Sequence, residues 1–196
     1  MKFKTPEKLK ILENNYISLK DECVALPSKF IQDEPRKKGE WCDTNKPLEL
    51  VKKFEKGYGW VKSWHDDGST WISWPIIYDG LPVKNNCKYC PKTFSFLSNI
   101  DGVRVAAFNK MLPKTTLGIH VDAETGLSSK RIAYNLGLDV PDECHLYIKN
   151  NKIKVKNGES VTFDSTFPHF ADNKSEHDRT ILYLDVSLTD DEIKLL

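Results

Sequence analysis

Four residues of this 196-residue chain have types and spacing that can do chemistry: His120, Asp122, His169 and Arg179. The first two stand as His-x-Asp in Gly118-Ile119-His120-Val121-Asp122. On a strand, residues two apart share a face, so both side chains point the same way. A distant histidine can close a three-point site, and His169 follows 49 positions later (169 minus 120), with Arg179 ten positions after it. Two imidazoles and one carboxylate on a six-coordinate ferrous ion leave three positions open. Those suit a bidentate 2-oxo acid and dioxygen.

A lone His-x-Asp arises often by chance, so its weight comes from the company it keeps. Only Arg36, Arg104, Arg131 and Arg179 are arginines, and Arg179 opens the apolar segment 180–186. A core strand of that composition buries Ile181 and Tyr183 on its inward side, and Arg179 shares their parity. An inward guanidinium needs an anion. A dicarboxylate cosubstrate would supply one; so would a side chain such as Asp185 or Glu124. Arg131, Ala133 and Asn135 also share one strand face, so Arg131 could meet a cosubstrate or substrate carboxylate. His145 and His177 read as surface residues.

The elements that must position these groups fall into two stretches. Thr5-Pro6-Glu7 reads as an N-cap, a first-turn proline and a first-turn acid, followed by Leu9, Leu12, Tyr16, Leu19 and Cys23 at helical spacing. Residues 27–47 are polar, with Pro35, Gly39 and Arg36-Lys37-Lys38, and predict a surface loop. Short helices are expected over 47–54 and 92–100. Beyond residue 70 the period changes to two, with strands predicted over 71–77, 103–111, 116–121, 131–140, 145–148, 153–155, 160–163 and 179–186. Asp79-Gly80, Asn150-Asn151, Asn157-Gly158 and Asp172-Asn173 read as turns. The expected fold is α+β: one catalytic domain over 1–196, with helical and loop decoration in 1–70 and a jelly-roll, cupin-like core in 71–190.

Composition bounds the remaining possibilities. With 29 basic and 28 acidic residues the net charge is +1, so no global field attracts nucleic acid or an anionic membrane. No run of 18 apolar residues occurs and the N-terminus carries no signal-peptide pattern, which predicts a cytoplasmic protein. Five cysteines at irregular spacing do not read as a disulfide framework.

From Trp71 to about Leu188 the chain resembles the aspartyl/asparaginyl β-hydroxylase family of Fe(II)/2-oxoglutarate dioxygenases, which includes free-proline hydroxylases. The matching residues include Trp74-Pro75, Asp79-Gly80, the stretch from Asn86-Cys87 to Lys92-Thr93, Leu112-Pro113-Lys114-Thr115, and His120. They continue through Asn135-Leu136-Gly137-Leu138, Gly158-Glu159-Ser160, Phe163-Asp164, His169, and Arg179 with Asp185-Val186. The resemblance implies that His120 and His169 bind iron and that Arg179 pairs with 2-oxoglutarate. It further implies that Asp122 completes the His-Asp-His set of the free-amino-acid hydroxylases, a carboxylate that the animal peptide hydroxylases lack. Asn135 stands where the peptide hydroxylases carry a histidine near 2-oxoglutarate, Ala133 where they carry an arginine, and Asn109 matches a small polar cosubstrate contact. The implied activity is hydroxylation of an amino acid or an amino-acid side chain of the Asp, Asn or Pro type, with dioxygen as co-reactant.

Some motifs carry blander readings. Cys87-x-x-Cys90 lacks a second pair for zinc, with only His65 or Cys42 to complete it, and reads as packing at a helix start. Trp60, Trp64, Trp71 and Trp74 could line a groove or stack on bases, although core packing is the commoner fate. A catalytically silent cupin-like module is the alternative from another class. Oxidation of a nucleic-acid base would require a basic groove that the near-neutral charge does not advertise.

Overall fold

The spacing of Leu9, Leu12, Leu19 and Cys23 gives the expected buried stripe, but not one continuous helix. After a 3-10 turn at Glu7–Leu9, helix α1 (Lys10–Asn14) gives way at Asn15 to α2 (Tyr16–Val24). There the Asn15 amide donates to the Ile11 carbonyl at 2.7 Å, a local bond that competes with regular helix. Thr5 is not the N-cap. Pro6 holds that position without a side-chain cap, and Thr5 Oγ1 bonds Ser160 Oγ at 2.7 Å. Strand β1 (Lys2–Phe3), paired with residues 162–163, holds the preceding chain against the sheet and away from the helix start.

The computed structural model describes residues 2–31, 47–62, 70–122 and 125–196. Most of the expected 27–47 loop, together with Cys42, Trp64, His65 and Glu124, lies outside the described residues. In chain order follow α3 (Pro47–Phe54), β2 (Val61–Lys62), β3 (Trp71–Tyr78), β4 (Leu81–Pro82), α4 (Lys84–Cys87) and α5 (Pro91–Ser98). Then come β5 (Val103–Met111), β6 (Thr115–His120), β7 (Arg131–Asp139), β8 (Cys144–Ile148) and β9 (Asn151–Lys154). The chain ends with β10 (Ser160–Phe163), β11 (His169–Asn173), β12 (Arg179–Ser187) and α6 (Asp190–Lys194).

These strands form two antiparallel sheets in a jelly-roll arrangement, which gives the α+β class. The larger runs β1-β10-β7-β12-β5-β3-β2, with β4 on β3; the smaller runs β6-β11-β8-β9. One face of the larger sheet packs under the helices through Ile132, Tyr134, Leu136, Phe108, Leu182 and Leu184, joined by Leu12, Leu19 and Leu97. The opposite parity, Ala133, Met111 and Phe163, faces the smaller sheet, where it meets Leu146, Ile148 and Ala171. Because both faces are covered, β7 and β12 are buried almost throughout, and they read as apolar runs more than as alternation.

The sequence reading missed the short strands β1, β2 and β4, and it also missed β11, which carries a site residue. Asp172-Asn173, expected as a turn, ends β11. Asn173 is fully buried, donating to the carbonyls of Met111 (3.0 Å), Leu112 (3.0 Å) and His177 (2.8 Å) and accepting from Ser175 Oγ (2.7 Å). Its turn-forming amide is used to tie the smaller sheet to the end of β5 and to the loop before Arg179. Asn173→Ala leaves those groups unsatisfied and should cost roughly 2–4 kcal/mol, read from the urea midpoint at unchanged slope.

Candidate metal centre

His120 ends β6 and His169 begins β11, and the two stand opposite each other in register with ring centroids 4.2 Å apart. Each ring is held at Nδ1 by a backbone carbonyl two residues earlier, Gly118 O at 2.7 Å and Phe167 O at 3.0 Å. Such a bond assigns the proton to Nδ1 and puts the lone pair on Nε2, the arrangement that a metal-ligating imidazole needs. Burial, with a smaller push from His120, holds His169 below the usual histidine range. It is therefore kept in the neutral form that a metal requires.

Asp122 reaches the same point by another route than expected. The strand stops at His120, so the pair does not share a regular strand face. Asp122 N–H instead donates to Ser165 O at 2.9 Å, and Asp122 O accepts from Thr125 N–H at 3.0 Å. This bend carries the carboxylate to 3.7 Å from His169 Nε2. One ligand atom from each of His120, Asp122 and His169 lies within 4.8 Å of the others, the one such group of three found among the described residues.

Asp122's support is itself anchored. Ser165 donates through N–H (3.1 Å) and Oγ (2.7 Å) to Thr125 O, and Thr125 Oγ1 donates to Asp185 Oδ2 at 3.1 Å. Asp185 accepts from Arg131 through Nε at 3.0 Å and through Nη2. Arg131, considered for a carboxylate-binding role, is thus engaged by a buried carboxylate and does not line the cavity. Burial raises the Asp185 carboxyl and the Arg131 guanidinium opposes that shift.

A cavity of about 270 Å³ is lined by His120, Asp122 and His169 together with Arg179, Asn109 and Asn135. Arg179 is 1% exposed, and its Nε and Nη2 have no hydrogen-bond partner. Asp185, one of its possible partners, is taken by Arg131. Burial lowers Arg179 to about 10, still cationic at neutral pH. Asn109 Oδ1 and Asn135 Oδ1 are likewise buried without partners. A dry guanidinium beside a His-Asp-His donor set fits a ferrous ion together with an acidic chelator.

Tyr183 was expected to face inward and does, lining the cavity; burial pushes its phenol well up. Ile181 is buried but does not line the cavity, beside a register shift at Thr180–Ile181. Sequence reasoning missed Thr125 and Ser165, whose roles depend on long-range backbone bonds that no local pattern announces. Cys87 and Cys90 act as packing thiols, donating to the Ile76 (3.5 Å) and Asn86 (3.6 Å) carbonyls. Burial raises Cys87 to about 12 and Cys90 further, so neither supplies thiolate at neutral pH. Trp60 and Trp74 meet edge to face at 5.7 Å in the core behind the sheet, while Trp71 lines the cavity.

The chain belongs to the aspartyl/asparaginyl β-hydroxylase family, whose model matches residues 13–188. The match extends well into the N-terminal stretch, which had offered no resemblance. Aspartate beta-hydroxylase domain-containing protein 2 of Xenopus tropicalis is 26% identical over 131 residues, 64% of this chain and 35% of that protein. Ornithine lipid ester-linked acyl 2-hydroxylase of Rhizobium tropici is 27% identical over 118 residues, 59% of this chain and 41% of that protein. The chain thus spans less than half the length of these relatives. Among solved structures, an oxidoreductase of the 2OG-Fe(II) oxygenase family from Burkholderia pseudomallei aligns over 89% of both chains at 13% identity, with a TM-score of 0.45.

Two variants test this geometry. Asp122→Ala should weaken Mn(II) or Fe(II) binding by at least about 10-fold in anaerobic calorimetry, with the fold intact by circular dichroism. Asp185→Ala strips Arg131 and Thr125 of their partner and should destabilise the protein by roughly 2–4 kcal/mol while also lowering metal affinity. Unchanged affinity in Asp185→Ala would disconnect the Arg131–Asp185 pair from the metal ligand.

Proposed function

We propose that this protein is an Fe(II)- and 2-oxoglutarate-dependent hydroxylase. The observation that carries the reading is the juxtaposition of three convergent ligands with a buried, unpaired Arg179 in one cavity. His120, Asp122 and His169 would hold the iron, and Arg179 the distal carboxylate of 2-oxoglutarate, with Asn109 and Asn135 alongside. When bound, this pair supplies the oxidising power: one oxygen atom of dioxygen is inserted into a substrate C–H bond, the other enters succinate, and carbon dioxide leaves.

The chain's own residues bind, orient and exclude water. The guanidinium gives a dicarboxylate a charge-assisted anchor at a fixed place, so its other end has one direction in which to reach the metal. Apolar neighbours, Leu117, Leu146, Phe163 and Phe170, keep water from the reacting carbon.

An amino acid or amino-acid side chain of the Asp, Asn or Pro type is the substrate class carried by the family's name and by the resemblance. An ester-linked acyl chain is the class in the name of the Rhizobium relative. The lining of the cavity, more than the family name, distinguishes the two.

Purified protein supplied with Fe(II), 2-oxoglutarate and dioxygen should form succinate even without substrate, in the slow uncoupled reaction. A silent binding module would bind both and form none. Arg179→Ala should raise the KM for 2-oxoglutarate by about 10- to 100-fold, the loss of a charge-assisted pair. An unchanged KM removes Arg179 from that role.

A further inference from the structure

The smaller sheet has one side left open. Its order, β6-β11-β8-β9, makes β6 and β9 its outer strands, and the outer strands of the larger sheet are β1, β2 and β4. An outer strand presents a row of unpaired N–H and C=O groups, which folds usually blunt by shortness, lysine or proline. Among the described strands, all of these but β6 follow that rule. β1, β2 and β4 have two residues each and carry Lys2, Lys62 and Pro82, while β9 has four and carries Lys152 and Lys154. β6 runs for six residues, Thr115-Thr116-Leu117-Gly118-Ile119-His120, with no lysine, acid or proline.

Nothing among the described residues covers this edge. β6 pairs with β11, and Thr116, Gly118 and Ile119 are exposed, Ile119 at 73%. The space beside Gly118 is open for 4 Å. The edge also leads to the candidate metal centre. His120 ends the strand, lines the cavity and is held through Nδ1 by Gly118 O, and Val121, the next residue, is 50% exposed.

The chemistry of such an edge selects its occupant. A row of donors and acceptors at strand spacing is matched by another main chain. A hydrocarbon offers it no hydrogen bonds, and a free amino acid spans a single residue of it. With no cation on β6, a nucleic acid finds nothing to neutralise its phosphates. A second copy of this chain fits poorly. Six residues make an edge about 20 Å long and one strand deep, so pairing two of them covers roughly 200–300 Å² per partner, against the ~800 Å² of a stable dimer. A flexible segment of another protein needs no such area, because it brings only its own strand and lays apolar side chains on Ile119 and Val121.

We propose that β6 is a docking edge for an extended segment of another protein, which adds as a further strand of the smaller sheet and runs past His120. Main-chain pairing supplies the affinity, so the edge selects extended shape and leaves the choice of the residue presented to the cavity itself. The proposal rests on the hydroxylase reading only for what becomes of that residue.

The test titrates capped octapeptides, in which threonine alternates with valine, tyrosine or glutamine, into the full chain by calorimetry, with amide hydrogen exchange read over 115–120. At least one series should bind in the micromolar range and slow exchange along β6. Full N-methylation of that peptide should weaken binding at least about 10-fold, the loss of two or three main-chain hydrogen bonds. Ile119→Lys, which places a charge on the edge, should weaken it by a similar factor with an unchanged far-ultraviolet spectrum. The proposal is overturned if no series binds, if binding leaves exchange along β6 unaltered, or if N-methylation or Ile119→Lys has no effect. Dimers that protect β6 without peptide assign the edge to a second copy and overturn it equally. Titration of 2-oxoglutarate into the Mn(II)-loaded protein reads the hydroxylase proposal separately. Its failure with peptide binding intact sinks that proposal and leaves the docking edge standing; the reverse result sinks the edge alone.

Discussion

A guanidinium held dry, without a counter-ion among the described residues, is the constraint on which the rest of the site depends. Removing Arg179 from water opposes folding, and burial lowers its affinity for its own proton. The fold offsets this by placing it on the most heavily paired strand: β12 is bonded along its length to β5 on one side and β7 on the other. Leu182, Leu184 and Val186 of the same strand are buried under the helices. Asn173 then fastens the loop before Arg179 by accepting the Ser175 hydroxyl and donating to the His177 carbonyl. A charge kept in such a place retains a standing deficit of hydrogen bonds, which an anion of the right length removes. Stability spent there is recovered as binding.

The candidate metal ligands obey the opposite logic, because they come from the margins of regular structure. His120 closes an edge strand, Asp122 lies past its end, and His169 opens its neighbour. Strand ends leave room for an ion and its exchangeable ligands, at the expense of rigidity. The rigidity is restored from the larger sheet, through Arg131, Asp185, Thr125 and Ser165 to the backbone of Asp122. One buried ion pair on β7 and β12 thereby supports a ligand on the other side of the cavity, which accounts for spending a second inward arginine on structure.

How much of this was legible in the sequence varies with the range of the interaction. His120, His169 and Arg179 could be picked out because each carries chemistry in its own side chain and sits at an element boundary marked by apolar periodicity. Parity along 179–185 placed Tyr183 inward. Partner choice was not legible. Asp185 stood as a possible partner of Arg179, and only the register of β12 against β7, with Asp185 opposite Ala133, brings it to Arg131 instead. β11 was hidden because Asp172 and Asn173 are turn formers by local propensity, while here both are buried and satisfied by side-chain bonds. Residues 1–70 read as decoration, yet β1 and β2 join the larger sheet, and Phe54 and Val61 reach the cavity, contacts that no periodicity within that stretch specifies.

The two ends of the cavity also explain each other. An unpaired cation in a low-dielectric space attracts any anion that can enter, so a substrate bearing a carboxylate would compete with the cosubstrate for Arg179. The remaining arm carries Pro75, Ile77, Val105, Ala107 and Phe54, an apolar surface that offers such a carboxylate no second anchor. It also leaves the charge of Arg179 less screened, since the arm has little polar surface to hold water. On the hydroxylase reading, one guanidinium among apolar walls would hold a dicarboxylate in a single place and leave the rest of the space to the substrate.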